Sequence, residues 1–130
     1  VAKIKLEVVT PTGKVVETET STVSAPGVVG DLGIMPEHRP ALIQLGGGVI
    51  KYDDGMVYVR GGVAEVRPNG VLVLADQAVL PENADRAQAE VLLKETIEAM
   101  DSREFLDEAR LGELNDRRAY AEAVLKTAGH

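Results

Sequence analysis

Up to residue 75 this chain is cut by glycine-bearing turns at roughly ten-residue spacing, and beyond Pro81 the cutting stops. Thr12-Gly13, Asp53-Asp54-Gly55, Gly61-Gly62 and Pro68-Asn69-Gly70 are hairpin chemistry, because glycine reaches positive φ and Asn or Asp side chains hydrogen-bond their own backbone. In Lys3-Ile4-Lys5-Leu6-Glu7-Val8, apolar and charged side chains alternate with period two, as in a strand buried on one face. Residues 14–23 read as a longer Val/Thr/Glu strand, and 41–45, 49–52, 56–60 and 63–67 as four short ones. A fifth run, 71–75, is apolar throughout and reads as central. Strands in this rhythm pack as a sandwich or barrel.

From Glu82 onward Gly112 is the only glycine before Gly129, and Ala, Leu, Glu and Arg take over. Ala89, Leu93, Ile97 and Met100 fall on one helical face; Leu111, Leu114, Ala121 and Leu125 make a second stripe, with Tyr120 and Val124 beside it. Glu82/Arg86, Glu90/Lys94, Glu113/Arg117 and Glu122/Lys126 are acid-to-base pairs in the favourable order. Asp101 and Glu104 read as a capping box that opens the second helix. The expected fold is α+β, an N-terminal antiparallel β-sandwich over residues 1–80 followed by a C-terminal α-helical hairpin over residues 81–130. The stripes are narrow and alanine-rich, so at ~25 cal/mol per Å² their burial barely offsets the entropy of ordering. Such a hairpin holds only when docked, and a two-state appendage is a plausible regulator.

Charge and composition exclude several classes. The net charge of −7 repels phosphate backbones and aromatics are only 3%, which argues against nucleic acid. There is no cysteine, hence no disulfide framework and no thiolate site. No run approaches the ~20 apolar residues of a membrane span, and residues 1–20 do not resemble a signal peptide. Membrane contact is therefore expected only through a partner.

Gly30-Asp31-Leu32-Gly33-Ile34-Met35-Pro36-Glu37-His38-Arg39-Pro40 packs two glycines and two prolines into one stretch, so it reads as a shaped loop presenting an apolar Leu/Ile/Met trio. His38 lies in it, and the other histidine, His130, is the last residue given. No histidine cluster is present, which disfavours a metal. Asp53-Asp54-Gly55 lacks the ligand pattern of a calcium loop, and Gly46-Gly47-Gly48 is followed by no Lys-Ser/Thr and is no phosphate loop. Nothing assembles a nucleophile, a base and oxyanion donors. The expected catalytic and metal residues are therefore none, and the chain reads as a binding part.

Residues 30–40 resemble a G-x-x-G-I-x-P-x-H-x-P signature. Gly61-Gly62-Val63-Ala64-Glu65-Val66 and Val71-Leu72-Val73-Leu74-Ala75-Asp76-Gln77-Ala78 resemble G-G-x-x-E-V and V-x-V-L-A-(D/E)-x-A blocks in the same order. In these features the chain is similar to the epsilon subunits of F-type ATP synthases, called delta in mitochondria. That resemblance covers nearly all of residues 1–80, whereas beyond 81 only the two-helix architecture matches.

The resemblance implies a non-catalytic rotor subunit that couples c-ring rotation to ATP synthesis. It would be peripheral, on the cytoplasmic face of a bacterial inner membrane or its matrix or stromal equivalent. Its implied partners are the gamma subunit, the c-ring and, with the hairpin extended, the alpha/beta hexamer. Gly30, Asp31, Gly33, Met35, Glu37 and His38 would face the c-ring; for Asp31 a plain turn role, and for Met35 packing on its own sandwich, are the competing readings. Gly47, Gly48 and Val49 would face gamma. Arg110, Arg117, Arg118 and Lys126 would meet acidic segments of the hexamer and block hydrolysis, against the plainer reading of a solvated helix face.

Some members bind ATP through an I/L-D-x-x-R-A motif. Here the stretch reads Glu82-Asn83-Ala84-Asp85-Arg86-Ala87, with no aliphatic-Asp pair at the right spacing. That departure argues against nucleotide binding at Asp85 and Arg86, and no cofactor is expected. The alternatives are an ATP-sensing module and a small sandwich enzyme or sugar-binding domain using Asp31, Glu37 and His38.

Overall fold

The computed structural model describes residues 3–37, 39–102 and 106–127. Eight strands come first: β1 (Ile4–Thr10), β2 (Gly13–Thr20), β3 (Val23–Gly27), β4 (Gly30–Ile34), β5 (Ala41–Tyr52), β6 (Gly55–Arg67), β7 (Gly70–Ala75) and β8 (Ala78–Val79). A 3-10 turn at Pro81–Asn83 leads into α1 (Arg86–Asp101) and α2 (Glu108–Thr127). The strand order is β2-β1-β7-β6-β5-β3-β4, with β8 on β6. β1 runs parallel to β7, and the remaining pairs are antiparallel.

β6 is the spine of this sheet. It pairs with β5 along its length, with β8 at Tyr58 and Val59, and with β7 from Gly62 onward. One expected turn is absent: 56–60 and 63–67 form one strand through Gly61-Gly62, and likewise the short runs 41–45 and 49–52 join into one strand through Gly46-Gly47-Gly48. Gly61 and Gly62 take φ of +119° and +139°, a conformation side chains rarely adopt, and a Cβ on Gly62 would stand 2.2 Å from the Leu74 carbonyl oxygen. The double glycine bends the strand while its ladder with β5 continues.

The bend also exchanges the faces of β6. Before it, odd residues Val57 and Val59 point into the main core; after it, even residues Ala64 and Val66 do. Leu45 and Ile50 show the same change of parity across the glycines of β5. The sheet thereby folds over on itself and encloses Ile4, Leu6, Val8, Val23, Ile34, Val71 and Val73 together with these residues. Tyr58, on the other side of β6, is left to a second cluster with Ala89, Tyr120 and Val124, which is where the helices sit.

The stripe of α1 is rotated from the one expected, and that of α2 is largely as expected. α1 buries Ala89 and Thr96, while Ile97 is exposed; α2 buries Leu114, Tyr120, Ala121 and Val124, while Leu111 is exposed. Thr96 is accommodated because its hydroxyl donates to the Leu92 carbonyl at 2.6 Å. Asp85 caps α1 by accepting from the Gln88 amide at 3.1 Å. Asp107 does the same for α2, accepting from the Arg110 amide at 2.8 Å. The expected capping box is not the start of α2: Asp101 is the last residue of α1, and Glu104 lies outside the described residues.

Candidate functional site

Two surfaces stand out, an edge of the sandwich and the seat of the hairpin. At the edge, β3 and β4 form a hairpin in which Gly27 pairs with Gly30, Pro26 with Asp31 and Ser24 with Gly33. Alternation sends Ile34 into the core and leaves Leu32 partly buried against it. Asp31, Gly33 and Met35 face outward, Met35 at 65% exposure. The expected apolar trio is thus divided by the pleat, and Met35 does not pack on its own sandwich. A Cβ at Gly33 would meet nothing within 4 Å. The chain's own packing therefore does not require glycine there, and the bare backbone is available to a partner.

The loop that follows is held in shape. Glu37 has φ of +66° and its amide donates to the Pro68 carbonyl at 2.7 Å, which ties this segment to the β6–β7 turn. His38 lies outside the described residues. Val28 and Val29 complete the edge, Val29 at 98% exposure. Sequence reading missed them because the motif begins at Gly30; two β-branched residues at the tip of a Pro-Gly hairpin were the available signal.

A second apolar surface was also missed. Leu42, Val63 and Leu74, on neighbouring strands β5, β6 and β7, are 76%, 40% and 53% exposed. Val63 pairs directly with Leu74, and Leu42 lies one step diagonally away, close enough to form a continuous patch. The run 71–75 is central in the sheet, yet its apolar Leu74 faces out.

The hairpin lies across the outer side of β5 and β6. A Cβ on Gly47 would stand 2.0 Å from the Asp116 carbonyl oxygen, so only glycine lets α2 approach this closely. Gly48 packs on Pro26, and Val49 joins the cluster around Tyr58. Of the three residues expected to face gamma, Gly47 and Val49 are covered by the chain's own helices in this conformation. Polar ties supplement the packing. The Tyr58 hydroxyl bonds the Thr127 hydroxyl, Arg60 lies 5.9 Å from the Tyr120 ring centroid, and Arg86 donates to the Leu125 carbonyl at 3.0 Å.

The basic residues of α2 engage acids on the same helix. Arg110 and Arg117 share Glu113, and Arg118 pairs with Glu122 at 2.8 Å; Lys126 also has an interaction of its own. Exposed pairs of this kind contribute about 0–1 kcal/mol, so a partner's carboxylate can displace them. Two of the expected pairs are re-sorted: Arg118, one turn before Glu122, takes the acid assigned to Lys126, and Arg86 pairs forward with Glu90 at 3.7 Å.

A cavity of about 490 Å³ lies between the sandwich and α1, lined by Arg60, Gln77, Asn83, Asp85, Gln88 and Tyr120 among others. Arg86 is absent from its lining and Asp85 is used as a helix cap, so the two side chains do not converge on this cavity. Among the described residues, no group of three or more His, Cys, Asp or Glu side chains could hold a metal ion. Asp53 accepts from the Ser21 amide and hydroxyl, each at 2.8 Å. The Ser21 amide is the main cause holding its carboxyl below the usual range, and the acidic turn serves as a structural corner. No described helix is long and apolar enough to cross a membrane.

Residues 3–81 match the family described as ATP synthase, Delta/Epsilon chain, beta-sandwich domain. An ATP synthase epsilon chain from Nitrosomonas europaea is 34% identical over 128 residues, covering 95% of this chain and 86% of the relative. One from Nitrosomonas eutropha is 32% identical with the same coverage. Among solved structures, a chain of the Euglena gracilis mitochondrial ATP synthase (OSCP/F1/c-ring) superposes with a TM-score of 0.76 at 20% identity, covering 100% of this chain and 83% of the other. A chain of the Tetrahymena thermophila mitochondrial ATP synthase (central stalk/c-ring) gives 0.64 at 16% identity, covering 97% and 96%.

Proposed function

The chain belongs to the ATP synthase delta/epsilon family, and on that premise we propose how its two surfaces serve a central stalk. Its role in that complex is non-catalytic. The edge at Val28, Val29, Gly30, Asp31, Gly33, Met35 and Glu37 docks on the polar loops of the c-ring, Asp31 offering a carboxylate and the glycines a close backbone approach. Gamma takes the patch of Leu42, Val63 and Leu74, in place of the covered Gly47 and Val49. The chain is then peripheral to the membrane, on the side that carries F1, and needs no cofactor of its own.

The docked hairpin is the released brake. Undocked and extended along gamma, α2 would bring Arg110, Arg117, Arg118 and Lys126 to acidic segments of the alpha/beta hexamer and slow ATP hydrolysis. Removing residues 82–130 then relieves inhibition while gamma binding persists; inhibition unchanged by that truncation would remove the regulatory half of the reading. Isothermal titration with ATP is expected to show no heat, since Arg86 is engaged with Glu90 and the Leu125 carbonyl.

The observation that carries the rotor reading is Gly33, exposed on a strand whose own packing leaves the space above it empty. Gly33→Leu should leave the isolated chain as stable as before and weaken its binding to a reconstituted c-ring. A variant that binds the ring as tightly as the parent would overturn that placement of the ring.

A further inference from the structure

The seat of α2 holds two carboxylates that the stalk reading does not use. Asp116, half-buried on α2, and Asp76, just after β7, both reach the bare face of Gly61. A Cβ there would stand 3.0 Å from one Asp116 oxygen and 3.2 Å from one Asp76 oxygen, so the two oxygens lie within ~6 Å, the range in which like charges oppose joint ionisation. We propose that Asp116, facing Asp76 across Gly61, is a proton-sensitive release for the hairpin: as a carboxylate it holds α2 weakly, and a proton on Asp116 clamps α2 to the sandwich.

Around Asp116, α2 supplies Glu108, Glu113, Arg117 and Tyr120; β6 supplies Arg60; the link after β7 supplies Asp76 and Gln77; β5 supplies Gln44 and glycine backbone. The cations have other partners, Arg117 in Glu113 and Arg60 in Gln77 at 2.6 Å and the Tyr120 ring. Burial pushes the Asp116 carboxyl up, the Gly47 amide donating to it pulls the other way, and the Asp76 charge adds to the rise. In an undocked hairpin these influences vanish. The docked state therefore binds the proton more tightly, so docking is strongest below the ordinary carboxylate range and weakens as pH rises through it to the raised docked value.

This inference rests on the hairpin being movable, and its test uses the isolated full-length chain so that the two ideas fail separately. Amide hydrogen exchange of α2, corrected for intrinsic pH dependence, is followed from about pH 4 to about pH 8 for the parent, Asp116→Asn and Asp76→Asn. Asp116→Asn keeps an acceptor for the Gly47 amide and removes the charge. It should protect α2 several-fold more than the parent at the alkaline end and equally at the acid end. Asp76→Asn should act in the same direction without altering the helix. A ratio of protection that does not change with pH, or weaker protection in both variants at the alkaline end, overturns the release. Inhibition unaffected by truncating the hairpin in the assembled complex would instead sink the brake while leaving this result standing.

Discussion

The sandwich and the hairpin are held by different physics. In the sandwich, Leu6, Val8, Val57, Val59 and Val73 are fully buried from strands distant in sequence, so each strand supports several others. The hairpin buries only Ala89, Thr96, Leu114, Tyr120, Ala121 and Val124 among its described residues. Three of those are alanine or threonine, with little apolar area to remove from water. It rests on the sheet through a glycine gap and a few polar ties. The expectation is a strand platform that folds without its helices, although they cover Tyr58, and helices that need the platform.

Glycine substitutions separate the two parts most sharply. Gly62→Ala puts a Cβ against the Leu74 carbonyl at a positive φ, inside the ladder itself. It should destabilise the whole chain by about 3 kcal/mol or more, measured as a shift of the urea midpoint for strand and helix signals alike. Gly47→Ala adds the same methyl where only α2 is in the way. Its expected cost is about 1–3 kcal/mol, confined to docking: α2 amides lose exchange protection while β1, β6 and β7 keep theirs. Equal loss in both regions would erase the distinction.

Smaller changes sharpen it. Tyr58→Phe removes the hydroxyl that bonds Thr127 and keeps the ring under α2, so the hairpin should loosen by about 1 kcal/mol with the strand core unaffected, seen as selective protease cutting in α2. The smallest effect concerns pH and runs opposite to that of Asp116. Asp53 is held below the ordinary carboxylate range by Ser21. Its contribution is therefore present above that range and lost as pH falls through the lowered value. Acid should weaken the β5–β6 corner while tightening the hairpin, and Asp53→Asn should abolish the acid sensitivity of the corner in a Tm-against-pH series.

Much of this was legible in the sequence, for physical reasons. Alternation in Ile4-Lys5-Leu6-Glu7-Val8 has one meaning in a strand buried on one face, and the structure buries those very apolar residues. The Gly-Pro stretch was read as one shaped loop, but Gly30–Ile34 is strand β4, and only the segment after it is a held loop, where the Glu37 amide meets the Pro68 carbonyl. Gly46-Gly47-Gly48 was legible as thin backbone that lets a neighbour approach, and α2 does. Gly61-Gly62 was misread because glycine permits a turn and a strand bend equally. Only the register with β7 and β5 decides which, and that is a long-range property. Leu74 was hidden for a related reason: an all-apolar run does not reveal which face lacks a cover. The α1 stripe was rotated because Ala and Leu appear on several of its faces, leaving the sheet to choose which side docks, while the buried set of α2 was legible.

The central claim, a self-sufficient platform with a dependent hairpin, is tested most directly by cutting the chain. Residues 1–80 alone should unfold in one cooperative transition with strand dichroism and a midpoint within a few degrees of the full chain, while residues 81–130 alone should show little helical signal. A 1–80 fragment that fails to fold, or an 81–130 fragment that forms a stable hairpin by itself, would contradict it.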